Sequence, residues 1–115
     1  MEKKVEVSIL SDLYGKLLTD KQFEFIDDYY NNDLSLSEIA ENNDITRQAV
    51  RDIIKKGENK LFEYEEKLGF MKRTLKQEEQ IVTILQELTK IQTQFTDKQI
   101  AQILEHVKEE LNCLV

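Results

Sequence analysis

Apolar residues recur along this chain at helical spacings, and most of the runs open on a residue able to cap a helix. Val5, Ile9, Leu13 and Leu17 repeat every four positions, with Leu10, Tyr14 and Leu18 beside them. That predicts a first helix over 5–18 with one broad apolar face, in which Gly15 permits close packing. Thr19 and Gln22 form a capping box, with Leu18 placed to staple against Phe23, so a second helix opens there. Phe23, Ile26 and Tyr30 line one face of it, and Asn31, Asn32 and Asp33 end it by bonding their own backbone.

The next stretch is the most informative. Ser35 and Glu38 make an S-x-x-E capping box, with Leu34 and Ile39 as its staple. Thr46 then caps a further helix, with Ile45 and Val50 as the staple. Ile39, Ala40, Ile45, Val50 and Ile53 are expected to bury, while Thr46, Arg47, Gln48 and Arg51 point outward. Two short helices joined by a tight turn, the second with a polar outward face, are the pattern of a helix-turn-helix. The second helix runs on: Val50, Ile53, Ile54, Gly57, Leu61, Tyr64 and Leu68 continue the apolar stripe to a natural stop at Gly69. Gly57 falls on the inward side, where a missing side chain suits close helix packing.

Beyond Gly69 the character changes. Phe70 to Thr74 reads as a connection. A long helix from about Leu75 carries Ile81, Ile84, Leu85, Leu88 and Ile91. Thr96 and Gln99 then cap a last helix, with Phe95 set to staple on Ile100 and a stripe of Ile100, Ile103, Leu104, Val107 and Leu111. A lone hairpin of two such helices buries too little to be stable. Its adjacent apolar pairs, Ile84-Leu85 and Ile103-Leu104, also widen the stripe beyond one seam. The excess must face the N-terminal core or a second copy, so a homodimer is one expected state. The tetrapeptide Thr19 to Gln22 recurs as Thr96 to Gln99, which reflects the few residue types that start helices rather than a duplication.

The predicted fold is therefore all-α, about six helices: a helix-turn-helix domain over 5–69 and a C-terminal helical hairpin over 70–115. With 115 residues, no proline and three glycines, composition agrees. No apolar run reaches the roughly 20 residues of a membrane span, so no membrane insertion is expected. No basic-apolar-small leader opens the chain, and a cytoplasmic location is expected. The single Cys113 excludes an intrachain disulfide framework.

Charge bears on the partner. The formal net charge is −7, against the basic balance usual for nucleic-acid binding. Its distribution answers part of that objection. Over 1–45 there are 4 Lys or Arg and 11 Asp or Glu; over 46–115 there are 12 of each. Within 46–60, Arg47, Arg51, Lys55, Lys56 and Lys60 stand against Asp52 and Glu58, a net of +3. Thr46 and Gln48 can reach a phosphate or a base, Gln48 adenine, and Arg47 or Arg51 guanine. Lys55, Lys56 and Lys60 lie where backbone phosphates are the targets. Asp52, an outward carboxylate, works against phosphate.

Nothing calls for an enzyme. His106 is the only histidine and sits within a helix; no Cys/His cluster has zinc spacing, and no Gly-rich loop can cradle a phosphate. Glu63, Glu65, Glu66 and Lys67 read as a solvated face. No cofactor is implied.

Leu18 to Gln22, Tyr29-Tyr30, Leu34 to Glu41, Arg47 to Val50 and Glu63 to Gly69 follow one another in an order that resembles the YlxM family of small bacterial helix-turn-helix proteins. The resemblance covers most of 5–70, and the C-terminal third matches in pattern only. The core is also similar to the region of bacterial sigma factors that reads the −35 promoter element. The resemblance implies a regulatory protein without catalysis. Because the family's gene commonly neighbours that of the signal recognition particle GTPase, it also implies a link to that targeting pathway and its components. Two positions depart from the pattern. Asn43 and Asp44 stand where leucine and glycine are usual; both tolerate a left-handed backbone, but leucine's apolar contact is lost. Arg51 stands where many relatives carry an aromatic. The expected function is nucleic-acid binding, DNA before RNA, through the helix that starts after Thr46. The competing expectation is a protein-interaction adaptor of the targeting pathway.

Overall fold

A computed structural model describes residues 1–94 and 97–114. Among the described residues six α-helices follow in order: α1 (Lys3–Tyr14), α2 (Asp20–Tyr30), α3 (Leu36–Asn43), α4 (Arg47–Leu68), α5 (Phe70–Gln94) and α6 (Lys98–Asn112). A short 3-10 turn, Gly15–Leu17, links α1 to α2. There is no strand among the described residues, and the all-α expectation holds. The chain divides into two compact units, Met1–Met71 and Lys72–Val115.

In the first unit α4 is the hub, packing against α1, α2 and α3. Phe25, Leu10, Ile26, Ile39, Leu61, Val7 and Val50 are essentially sealed from solvent there. The capping boxes expected at Thr19 and Ser35 form with both arms closed. Thr19 Oγ1 accepts from the Gln22 N–H at 3.2 Å while Gln22 Oε1 accepts from the Thr19 N–H at 3.1 Å. Ser35 and Glu38 do the same at 3.1 and 3.2 Å.

Several buried faces differ from the sequence expectation. On α1 the core takes Val7, Leu10, Ser11 and Tyr14, leaving Val5 and Leu13 exposed, as is Leu17 in the 3-10 turn that follows. The apolar arc was wide enough for two stripes, and packing on α4 selected one. On α2 it is Phe25 rather than Phe23 that buries. Phe23 instead lies over Gly15, where a β-carbon would come within 2.6 Å of its ring. Ile45 is exposed rather than buried, Ile53 is only half-buried, and Ile54, one turn after Val50, takes the buried place.

The expected connection at 70–74 is helical. Gly69 alone separates α4 from α5, in the left-handed conformation (φ 65°) that glycine adopts without strain. The free N–H groups at the start of α5 find distant partners: Phe70 N–H donates to the Tyr14 hydroxyl at 3.2 Å and Met71 N–H to Glu65 Oε1 at 3.0 Å. Tyr14 in turn donates to Glu65 Oε1 at 2.8 Å. Glu65 is thus half-buried and engaged, not part of a solvated face. In the second unit α6 is capped by Asp97, whose Oδ1 accepts from the Gln99 and Ile100 N–H groups at 2.8 and 3.4 Å. The expected cap at Thr96 and staple from Phe95 fall outside the described residues. Gln92 of α5 donates to the Ala101 carbonyl and to Glu105, and accepts from Lys108. No described residue of α5 or α6 is fully buried.

α2 comes close to α4 at Gly57. A β-carbon there would stand 2.6 Å from Ile26 Cδ1 and 3.2 Å from Gln22 Cβ. Gly57→Ala gains about 1 kcal/mol of helix propensity but forces the sealed Ile26 aside, an overpacking cost of about 1–3 kcal/mol. We expect a net loss in the single variant. Adding Ile26→Val, which deletes the obstructing methyl, should remove most of that loss, as a double-mutant cycle by chemical denaturation will read. Additive effects would show that the two positions do not meet.

Candidate nucleic-acid interface

The turn before α4 fixes where its outward face begins. Asp44 adopts the left-handed conformation (φ 55°), and its N–H is accepted by the Ala40 and Glu41 carbonyls. Ile45 N–H then donates to the Ala40 carbonyl at 3.1 Å. Asn43 replaces leucine's apolar contact with polar ones: its Nδ2 donates to the Ile39 carbonyl at 2.8 Å and its Oδ1 accepts from Lys21 Nζ at 3.4 Å. Thr46 caps α4, its Oγ1 accepting from the Ala49 N–H at 3.0 Å. That leaves its hydroxyl proton as the group it can offer a ligand.

Arg47, Gln48, Arg51, Lys55, Lys56 and Lys60 are all exposed on α4, as is Thr46 before it. They do not share one line. At about 100° per residue, Arg47, Arg51 and Lys55 drift along one side, each about 40° from the last. Lys56 and Lys60 lie about 180° and 220° around from Arg47, on the opposite flank. Gln48, Asp52 and Asn59 occupy the strip between. None of the five cations enters an ion pair among the described residues.

The two acids of the segment are treated differently. Glu58 turns inward and is 8% exposed. It accepts a short hydrogen bond from the Tyr30 hydroxyl, and its other oxygen pairs with Lys3 Nζ at 3.3 Å. Its charge is therefore balanced by Lys3 rather than presented on the outward face of α4. Asp52 stays out, and its Oδ1 accepts from Gln48 Nε2 at 3.0 Å. Beside the Arg51 edge lies a cleft of about 330 Å³, lined by Tyr29, Leu36, Arg51, Lys55, Glu58 and Phe62, with Lys3 at its rim. Lys3 and Tyr29 were not among the expected site residues. They come from α1 and α2, and no periodicity or spacing signals that these helices deliver them beside α4.

The exposed second helix of a capped two-helix unit, flanked by unpaired cations, defines a helix-turn-helix protein. The chain belongs to the UPF0122 family, whose model, described as "Putative helix-turn-helix protein, YlxM / p13 like", matches residues 1–107. It is 43% identical over 115 residues to a UPF0122 protein of Acetivibrio thermocellus, covering 100% of this chain and 98% of that one. It is 47% identical over 88 residues to one of Clostridium botulinum (76% and 81% of the two chains). A third, of Fusobacterium nucleatum, is 38% identical over 109 residues (93% and 97%). No described helix is long and apolar enough to cross a membrane.

Two tyrosines give this unit a pH signature. Burial first, then the hydrogen bond to Glu58, pushes the Tyr30 hydroxyl well above its ordinary range; burial and Glu65 push Tyr14 the same way. A folded-state value above the unfolded one means the stabilisation is intact below about pH 10 and is lost as pH rises beyond it. We expect the denaturation midpoint to hold between pH 8 and 9.5 or so and to fall above about 10. The double variant Tyr14→Phe, Tyr30→Phe should be less stable at neutral pH but show a shallower alkaline decline. An equally steep decline would assign it to other groups.

Proposed function

We propose that this protein is a non-enzymatic regulatory protein that binds nucleic acid, DNA in preference to RNA, through the outward face of α4. The observation that carries this reading is the set of five exposed cations, Arg47, Arg51, Lys55, Lys56 and Lys60, held on both flanks of one helix without ion-pair partners among the described residues. Such cations repel one another and are stabilised by phosphates on either side of a groove. B-form DNA favours the fit, because its major groove admits a helix whereas that of A-form RNA is too narrow. In the YlxM family that the chain resembles, the gene commonly neighbours that of the signal recognition particle GTPase. That supports the targeting pathway, in the cytoplasm, as the setting.

Affinity of the full chain for duplex DNA across a salt series tests this. Arg47→Ala and Arg51→Ala should each cost about 1–3 kcal/mol on a preferred sequence. Lys55→Ala should weaken all sequences alike and lower the salt slope by about one. Unchanged affinity in the arginine variants, with helicity intact by circular dichroism, takes α4 out of the site. No duplex binding at low salt together with retention of a targeting-pathway component favours the adaptor reading.

We further propose that residues 70–115 pair with a second copy. Ile84, Ile91, Ile100, Ile103 and Val107 remain exposed on α5 and α6, and Ile103 is 64% exposed. A two-fold dimer also suits a DNA reader, which spans successive major grooves about 34 Å apart. Sedimentation at micromolar concentration should give twice the monomer mass, and Ile103→Glu should return it to the monomer. A wild-type monomer that persists as concentration rises defeats the pairing.

A further inference from the structure

Asp52 is at first sight the flaw in a phosphate-binding helix. Its position says otherwise. A helix in the major groove turns its flanks toward the phosphate walls and its outward midline toward the base edges. On α4 the flanks are Arg47 and Arg51 on one side, whose long side chains still reach a guanine edge beside the wall, and Lys56 and Lys60 on the other. Asp52 lies between them, about 40° from Gln48 and about 20° from Asn59 around the helix. The carboxylate stands over the groove floor, where donors as well as acceptors are presented.

The hydrogen-bond inventory of the pair completes the argument. Gln48 Nε2 spends one N–H on Asp52 Oδ1 at 3.0 Å. That bond fixes which way the amide faces. Its second N–H and its Oε1 remain, and these are the donor and acceptor that match adenine N7 and N6. Asp52 Oδ2 has no partner among the described residues, and a carboxylate oxygen accepts from the N4 amino group of cytosine. Against guanine O6 and N7 or thymine O4 the same oxygen meets only acceptors and is repelled, so it rejects these two bases; adenine offers an N6 donor but sets its N7 acceptor beside it, which makes it the poorer partner.

We propose that Gln48 and Asp52 form a base-reading couple, Gln48 taking an adenine and Asp52 a cytosine in the major groove of duplex DNA. Four residues of helix rise about 6 Å, against about 3.4 Å per base step, so the two bases lie one or two steps apart. The assignment rests on the proposed DNA-binding function and gives it a sequence.

Selection of duplexes from a randomised pool by the full-length protein tests it. The expected result is a preferred site with an adenine and a cytosine at that separation. Replacing the selected cytosine with guanine or thymine should weaken wild-type binding about fivefold or more. The same replacement should leave the nearly isosteric Asp52→Asn variant far less affected, with its adenine preference retained. A pool enriched for no base at these positions overturns the proposal. So does an Asp52→Asn variant that binds every duplex more tightly and equally, since the carboxylate would then only repel phosphate. Duplex binding without base preference leaves the proposed function standing and removes only this couple; no duplex binding at low salt removes both.

Discussion

The missing side chain at Gly57 is the constraint on which the N-terminal unit depends. It lets α2 lie against α4 with Ile26 and Gln22 in the space a β-carbon would need. With α2 that close, one side of α4 is sealed by Phe25, Ile26 and Ile39, and Val50, Ile54 and Leu61 face inward. The rotation of α4 about its own axis is then fixed, and so is everything on its outer side. A helix rotated by a single residue would bury Arg51 or expose Val50, either at a cost of the order of a kilocalorie or more. Packing and recognition are thus two faces of one decision.

Electrostatics follow from the same placement. A chain with net charge −7 is a poor general ligand for phosphate. Here the inward turn of Glu58 matters: it gives its carboxylate to Tyr30 and Lys3 and leaves the exposed surface of the segment to five cations and Asp52. The remaining acids lie mostly on other helices. Such a protein is expected to bind through a few local contacts rather than a broad basic field, so discrimination depends on base contacts more than on overall attraction.

The two units contrast in how they are held. Residues 1–71 contain the fully buried apolar residues of the described chain, and the start of α5 is tied there by Tyr14 and Glu65. α5 and α6 beyond Met71 have amphipathic sequence but no sealed side chain. Gln92 joins them by polar contacts to Ala101, Glu105 and Lys108, which orient two helices without supplying a core.

The sequence by itself determined what local chemistry controls. The capping boxes at Thr19 and Ser35, the caps at Thr46 and Gly69, and the outward placement of Arg47, Gln48 and Arg51 were all legible. Each depends on residues within four positions of one another. Tertiary structure decided the rest. Which of two stripes α1 buries, Phe25 in place of Phe23, and the exposure of Ile45 depend on neighbours distant in sequence. The continuation of helix through Phe70 to Thr74 needed Tyr14, more than fifty residues earlier, to accept its first N–H. The inward turn of Glu58 needed Tyr30 and Lys3 from two other helices. Periodicity reports that a helix has an apolar side, but only the partner that covers it decides which residues are inside.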